Sequence, residues 1–206
     1  MRHDTVFSAT FVGSLDALRS PFVTDVVLAS RVCVLATAAA FRGPGEAIAE
    51  ALALPVWGDA TLIGVAAIDR RSANDAAVVD EVASADLVVL VDGAALHARS
   101  VWRSTALGDV LGTSRLVALG SVGSVLGATM IDPRGGAPTT GMGFFDDVVL
   151  SAPAGTEQTL RTRDLLGSRC TLVELGARSV LSYEGTWTIR VSDDLVVTRA
   201  GEATSL

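Results

Sequence analysis

The sequence predicts an α/β protein, a three-layer sandwich with a mainly parallel central sheet and an antiparallel edge added by its C-terminal part. Two near-continuous apolar runs, RVCVLATA at 31–38 and DLVVLV at 86–91, read as strands covered on both faces. Runs of this kind alternate with stretches of helical length, which is the spacing of βαβ units. A chain of 206 residues, 50% of them hydrophobic, is long enough for a single domain with a full core, here 1–206.

In chain order, VFSATFV at 6–12 reads as a first strand closed by Gly13-Ser14. A helix interrupted near Pro21 follows over 15–29, then the buried run 31–38. Gly43-Pro44-Gly45 then leads into a helix over 46–54, with the proline near its first turn, where the missing N–H is not needed. TLIGVAAI at 61–68 is the next strand. Asn74 caps a helix through Ser84, with Asp75 in the favourable first turn. The strand at 86–91 closes in Asp92-Gly93, and 94–111 reads as one helix. Leu116–Leu119 is a strand that breaks at Gly120-Ser121-Val122-Gly123-Ser124 and reopens as a helix over 125–130. Beyond a loop at 132–136, a helix spans 156–166, and short strands at 170–175, 180–183, 186–191 and 195–198 form the antiparallel edge.

Composition excludes several function classes. The formal net charge is -7, which argues against a phosphate-backbone partner. All 16 basic residues are arginine, so no Schiff base, Ser–Lys dyad or phosphate-loop lysine is available. The two cysteines, Cys33 and Cys170, fall in or beside strands and read as core residues. With His3 and His97 they give no metal-ligand spacing, and no cofactor is expected. No apolar run reaches the roughly 18–20 residues of a membrane span. The charged N-terminal stretch reads as no signal peptide, so a cytoplasmic protein is expected. The mean hydropathy of +0.47 points to a doubly covered sheet or an oligomer interface.

Chemistry is expected at the carboxyl ends of the strands, where ligand sites of open parallel sheets lie. Among these ends, Gly120-Ser121 has the shape of a nucleophile elbow, a hydroxyl on a sharp turn crowded by small neighbours.

The order of these pieces resembles the cyanophycinase and dipeptidase E family of serine peptidases. The resemblance rests on VLATAAA at 34–40, ADLVVLVDG at 85–93, GSVGS at 120–124, DPRGG at 132–136, GMGFF at 141–145 and the late strand 175–181. It implies a flavodoxin-like fold like that of the class I glutamine amidotransferases. It also implies a serine nucleophile, a small acidic peptide or isopeptide as substrate, and dimers. Aligned on Gly123, the family's elbow puts the nucleophile at Ser121; aligned without a gap from the preceding strand, it falls on Val122. The histidine that the family carries after its next strand has no counterpart in Val148–Ala154, and no histidine follows His97. The family's Gly-Gly oxyanion turn has become Asp92-Gly93, and a carboxylate facing inward there would repel a developing oxyanion.

Two functions follow. In the first, the chain keeps the peptidase fold, loses catalysis and acts as a binding or partner subunit, as a homo-oligomer or beside an active paralogue, with a small peptide or amino-acid-like ligand. In the second, Ser121 attacks with Gly93 and Val122 amides as oxyanion donors and a carboxylate, Asp92, Asp132 or Asp146, as base. Asp132 is a candidate relic of the family's third triad member, or the partner of Arg134 in an ion pair that holds the loop. His97 is a further cleft-lining candidate, and Ser124 reads as first-turn structure. A glutamine amidotransferase is disfavoured, because the elbow has no cysteine and no downstream histidine.

Overall fold

In the computed structural model, residues 7–152 and 156–206 are described. His3 lies outside them.

Five parallel strands form the centre: β1 (Ser8–Val12), β2 (Arg31–Leu35), β3 (Thr61–Val65), β4 (Leu87–Leu90) and β5 (Arg115–Leu119). The apolar runs alternate between two cores, one on each face. Val32, Val34, Leu87, Val89, Val117 and Leu119 pack on one face, and Cys33, Leu35, Val88, Leu90, Leu116 and Ala118 on the other. Burial on both faces is why these segments carry no polar alternation.

Short helices cover the sheet: α1 (Thr24–Val27), α2 (Pro44–Leu52), α3 (Ala76–Ala83), α4 (Ala95–Trp102) and α5 (Ala106–Leu111). Three differ from the sequence reading. The segment 15–29 holds only two 3₁₀ turns, Asp16–Arg19 and Pro21–Val23, and the single turn α1. The cap of α3 is Asp75, whose carboxylate accepts from Ala77 N at 2.9 Å, while Asn74 reaches Ala106 N across the fold. The stretch 94–111 is two helices, because Ser104 turns to φ 55° and Thr105 caps α5 by accepting from Gly108 N.

Past β5 the chain winds through a 3₁₀ segment, Gly120–Leu126, and then enters β6 (Thr129–Ile131), not a helix. Carbonyls of Val125, Leu126 and Gly127 accept from Met142, Phe144 and Gly143, and Ala128 N donates to Phe145 O. Those bonds to a distant segment occupy the groups an α-helical ladder would use. β6 pairs with β7 (Pro138–Thr140).

The C-terminal strands divide between two sheets. β10 (Val180–Tyr183) and β11 (Trp187–Val191) add the expected antiparallel edge, giving the seven-stranded order β11-β10-β1-β5-β4-β2-β3. β9 (Thr171–Leu175) instead pairs in parallel with β8 (Val148–Ser151) and antiparallel with β12 (Leu195–Arg199), in a second sheet that ends in β13 (Glu202–Ala203). All five β9 residues are buried, including Glu174, which is held by Arg163 of α6 (Thr156–Leu166) at 2.6 Å. A strand buried on both faces needs its own layers and cannot serve as an exposed edge. Among the described residues, no helix is long and apolar enough to cross a membrane.

A buried polar chain fixes the strand ends against one another. Trp102 Nε1 of α4 donates to Thr37 Oγ1 at 3.0 Å, and Thr37 Oγ1 donates to Ala67 O beyond β3 at 2.7 Å. Thr37 and Trp102 are both fully buried, so neither bond has water to replace it. Thr37→Val keeps the volume and orphans both neighbours. Urea denaturation should show a loss of about 2 kcal/mol; a change within error would mean the chain contributes nothing to stability.

Candidate functional site

The carboxyl ends of β4 and β5 meet at Asp92 and Ser121. One oxygen of the Asp92 side chain, Oδ1, accepts from Ser121 N at 2.9 Å, from Ser121 Oγ at 2.8 Å and from Gly93 N at 2.8 Å. The Ser121 hydroxyl also lies 3.0 Å from Gly93 O, so both of its partners are acceptors. The Asp92 main-chain carbonyl accepts from Arg42 at 3.0 Å.

Two glycines make this contact possible. Gly120 sits at φ 58°, and a Cβ there would stand 2.5 Å from Asp92 Cγ. A Cβ on Gly93 would stand 2.2 Å from Ala38 O, the carbonyl at the end of β2 that accepts from Ala94 N. The turn after β4 is thus pressed onto the 3₁₀ turn Thr37–Ala39 that follows β2, and the turn after β5 onto Asp92. Ser124 Oγ then ties the 3₁₀ segment by donating to Ser121 O at 2.8 Å. The sequence reading placed Ser124 in the first turn of a helix; it sits in a 3₁₀ segment instead.

Ser121 lines two cavities. The larger, about 430 Å³, is bounded by Phe41, the start of α4 from Ala94 to His97, Pro133 and Arg134. The smaller, about 160 Å³, lies between Ser121, Ser124, Leu150, Ser151 and Gln158. Val122 is fully buried in the core. The residue turned to the cleft is therefore Ser121 and not Val122.

The other candidates separate. His97 lines the larger cavity, but its Nε2 is 2.8 Å from Ile68 O and therefore carries a proton. Its ring packs edge-on against Phe41 at 4.7 Å, and no hydrogen bond joins it to Ser121. Asp132 accepts from Arg134 N at 2.9 Å, closing its own loop. The expected Asp132–Arg134 ion pair does not form, and Arg134 lines the larger cavity. Asp146 is exposed at the approach to β8. Of the three carboxylates considered as bases, only Asp92 reaches the hydroxyl.

Sequence reasoning gave no role to Phe41, Arg42 or Ser151. Arg42 and Phe41 follow the end of β2 by several residues, with no motif of their own. Ser151 was visible only as the lack of a histidine after β8, and the smaller cavity is the space beside it. Cys33 is chemically inert: burial first, then the charge of Glu81, push its thiol up to about 12. Among the described residues, no group of three or more His, Cys, Asp or Glu is placed to hold a metal ion.

No family model and no curated sequence matches the chain. Solved structures do. A peptidase from an acI-B1 Actinobacterium superposes with a TM-score of 0.73 at 16% identity, covering 98% of both chains. A proposed peptidase E protein from Listeria monocytogenes EGD-e superposes with a TM-score of 0.58 at 10% identity, over 93% of this chain and 98% of that one. At these identities the likeness is one of fold: the chain has a peptidase-like α/β architecture.

The closeness of Gly120 to Asp92 is testable. Gly120→Ala should cost about 3 kcal/mol in the unmodified chain, from its left-handed φ and the clash with the carboxylate. In an Asp92→Gly background the cost should fall by about 1 kcal/mol or more. Equal costs in the two backgrounds, from denaturant melts, would separate the glycine from the carboxylate.

Proposed function

We propose that this peptidase-fold protein has lost peptide hydrolysis and works through its cleft as a binding subunit. The observation that carries the reading is the Asp92 carboxylate, bonded at once to the Ser121 hydroxyl and to the Gly93 amide. Acyl transfer from a serine needs a base that takes the Oγ proton and donors that meet the oxygen as it becomes negative. Here the amide expected as donor already serves a carboxylate, and a second negative oxygen beside that carboxylate would be repelled. Among the described residues no imidazole shares a hydrogen bond with the hydroxyl, and loss of one triad member generally removes several powers of ten in rate.

What remains in the larger cavity suits recognition. Arg134 supplies a cation that has no carboxylate partner among the described residues, Phe41 an aromatic face, and the His97 ring a second flat wall. A small peptide or amino-acid-like ligand would set its carboxylate on Arg134 and its apolar part on Phe41.

A second reading is favoured by one distance. Asp92 Oδ1 at 2.8 Å from Ser121 Oγ forms a Ser–Asp pair, so a slow serine hydrolase with Asp92 as base is the alternative.

A fluorophosphonate probe separates the two. On the first reading, intact-mass labelling of Ser121 runs at less than about one-thousandth of the rate of an active serine peptidase. Labelling at Ser121 that Asp92→Asn abolishes would establish the alternative. Acidic dipeptides should raise the melting temperature of the unmodified chain, and Arg134→Ala should remove that rise. Failure of every acidic dipeptide to shift it would sink the ligand assignment.

A further inference from the structure

The two edges of the central sheet are unlike each other, and the difference bears on assembly. Exposed edges offer unpaired N–H and C=O groups to other chains, and proteins blunt them with bulges and charges. β11 carries both devices. Its register with β10 shifts at Val180/Leu181, and Arg190 lies within it, tied to Asp25 and Ser182. β3, Thr61-Leu62-Ile63-Gly64-Val65, has no charge, no proline and no break in its register with β2.

We propose that β3 is the contact through which a second copy of this chain binds, with the two β3 strands antiparallel about a two-fold axis at Ile63. Thr61 N donates to Ser30 O and Val65 O accepts from Ala36 N, so the odd-numbered residues spend their backbone groups on β2. By the alternation of a parallel ladder, Leu62 and Gly64 turn theirs outward. In the proposed register, Leu62 of each copy faces Gly64 of the other and both residues exchange their backbone hydrogen bonds. Gly64 has no side chain because Ile48 of α2 packs over it, where a Cβ would stand 2.3 Å from Ile48 Cγ2, so Leu62 of the second copy meets the apolar Ile48 side chain beside Gly64. Leu62 is also half-exposed, as is Ile68 just beyond the strand, at 36% each.

Charge supports the same antiparallel arrangement. Asp59 precedes β3 and Arg71 follows it, and both are exposed. Nearby Asp69 is held by Ser72 N and Oγ, and Arg70 by the carbonyls of Ser100, Arg103 and Ser104. Neither the Asp59 carboxylate nor the Arg71 guanidinium has a hydrogen bond or ion pair of its own among the described residues. A two-fold axis brings the acidic end of one strand toward the basic end of the other, while a parallel pairing would set like charges together.

This proposal is independent of what the cleft binds. Light scattering over a dilution series of the full chain should show a species of twice 21.2 kDa that dissociates on dilution. Leu62→Lys and Ala66→Lys, both on the outer side of the edge, should each raise the dissociation constant about tenfold or more, with circular dichroism melts showing that each variant folds. Ile189→Lys, on the guarded edge, should leave it unchanged. Asp59→Arg should weaken the dimer about threefold, and adding Arg71→Asp should restore it. A chain monomeric at every concentration overturns the proposal. So does a dimer indifferent to both lysine variants, or one broken by Ile189→Lys.

Discussion

The carboxylate of Asp92 holds together the part of the molecule where chemistry would occur. It joins two turns that are 29 residues apart in sequence, at the ends of adjacent parallel strands. The tightness of that junction sets the residues around it. Gly120 is there because nothing larger fits over the carboxylate, and Gly93 because the turn after β4 is pressed on the turn that follows β2. Ser121 is there because a small side chain with a donor completes the set of bonds. A serine on a tight turn is ambiguous between nucleophile and structural donor; here its hydroxyl has Asp92 Oδ1 and Gly93 O as acceptors, and the proposed reading takes these as structural bonds.

Much of the architecture was legible because it is written locally. Runs such as Val32–Leu35 and Leu87–Leu90 lack polar alternation because each face meets its own core. The errors fall where a distant partner overrules a local pattern. Val125–Met130 has the apolar content of a helix, but its backbone groups are claimed by the segment 142–145. The 94–111 stretch contains no proline, and its break depends on Ser104 accepting a left-handed φ. The C-terminal strands look like one meander, yet the burial of Glu174 beside Arg163 places β9 in a separate sheet.

The site was legible in a different degree. Topology alone offered four strand ends as candidate positions; the small residues of the elbow and the family resemblance singled out Asp92-Gly93 and Gly120-Ser121. Asp92 was suspect because a carboxylate is a poor neighbour for an oxyanion, but a sequence cannot tell whether such a side chain points inward. The answer depends on Gly120, which leaves the space that Asp92 fills. Arg134 shows the reverse case. Its proximity to Asp132 in sequence favoured an ion pair, but Asp132 satisfies the backbone of its own loop, and Arg134 lines the cleft.

Why such a carboxylate should persist follows from the electrostatics of the place it occupies. Backbone N–H groups that converge at strand ends form an anion site, and a site left empty between substrates carries unpaired donors at a cost in stability. Asp92 satisfies the Gly93 and Ser121 amides permanently, with an anion supplied by the chain itself. On the proposed reading an external anion is directed elsewhere, to Arg134, which lines the larger cavity with Ser121. On the proposed reading, one substitution in the turn after β4 therefore does two things: it removes the place where negative charge would develop in a reaction, and it leaves the outer cleft as the place where negative charge is bound.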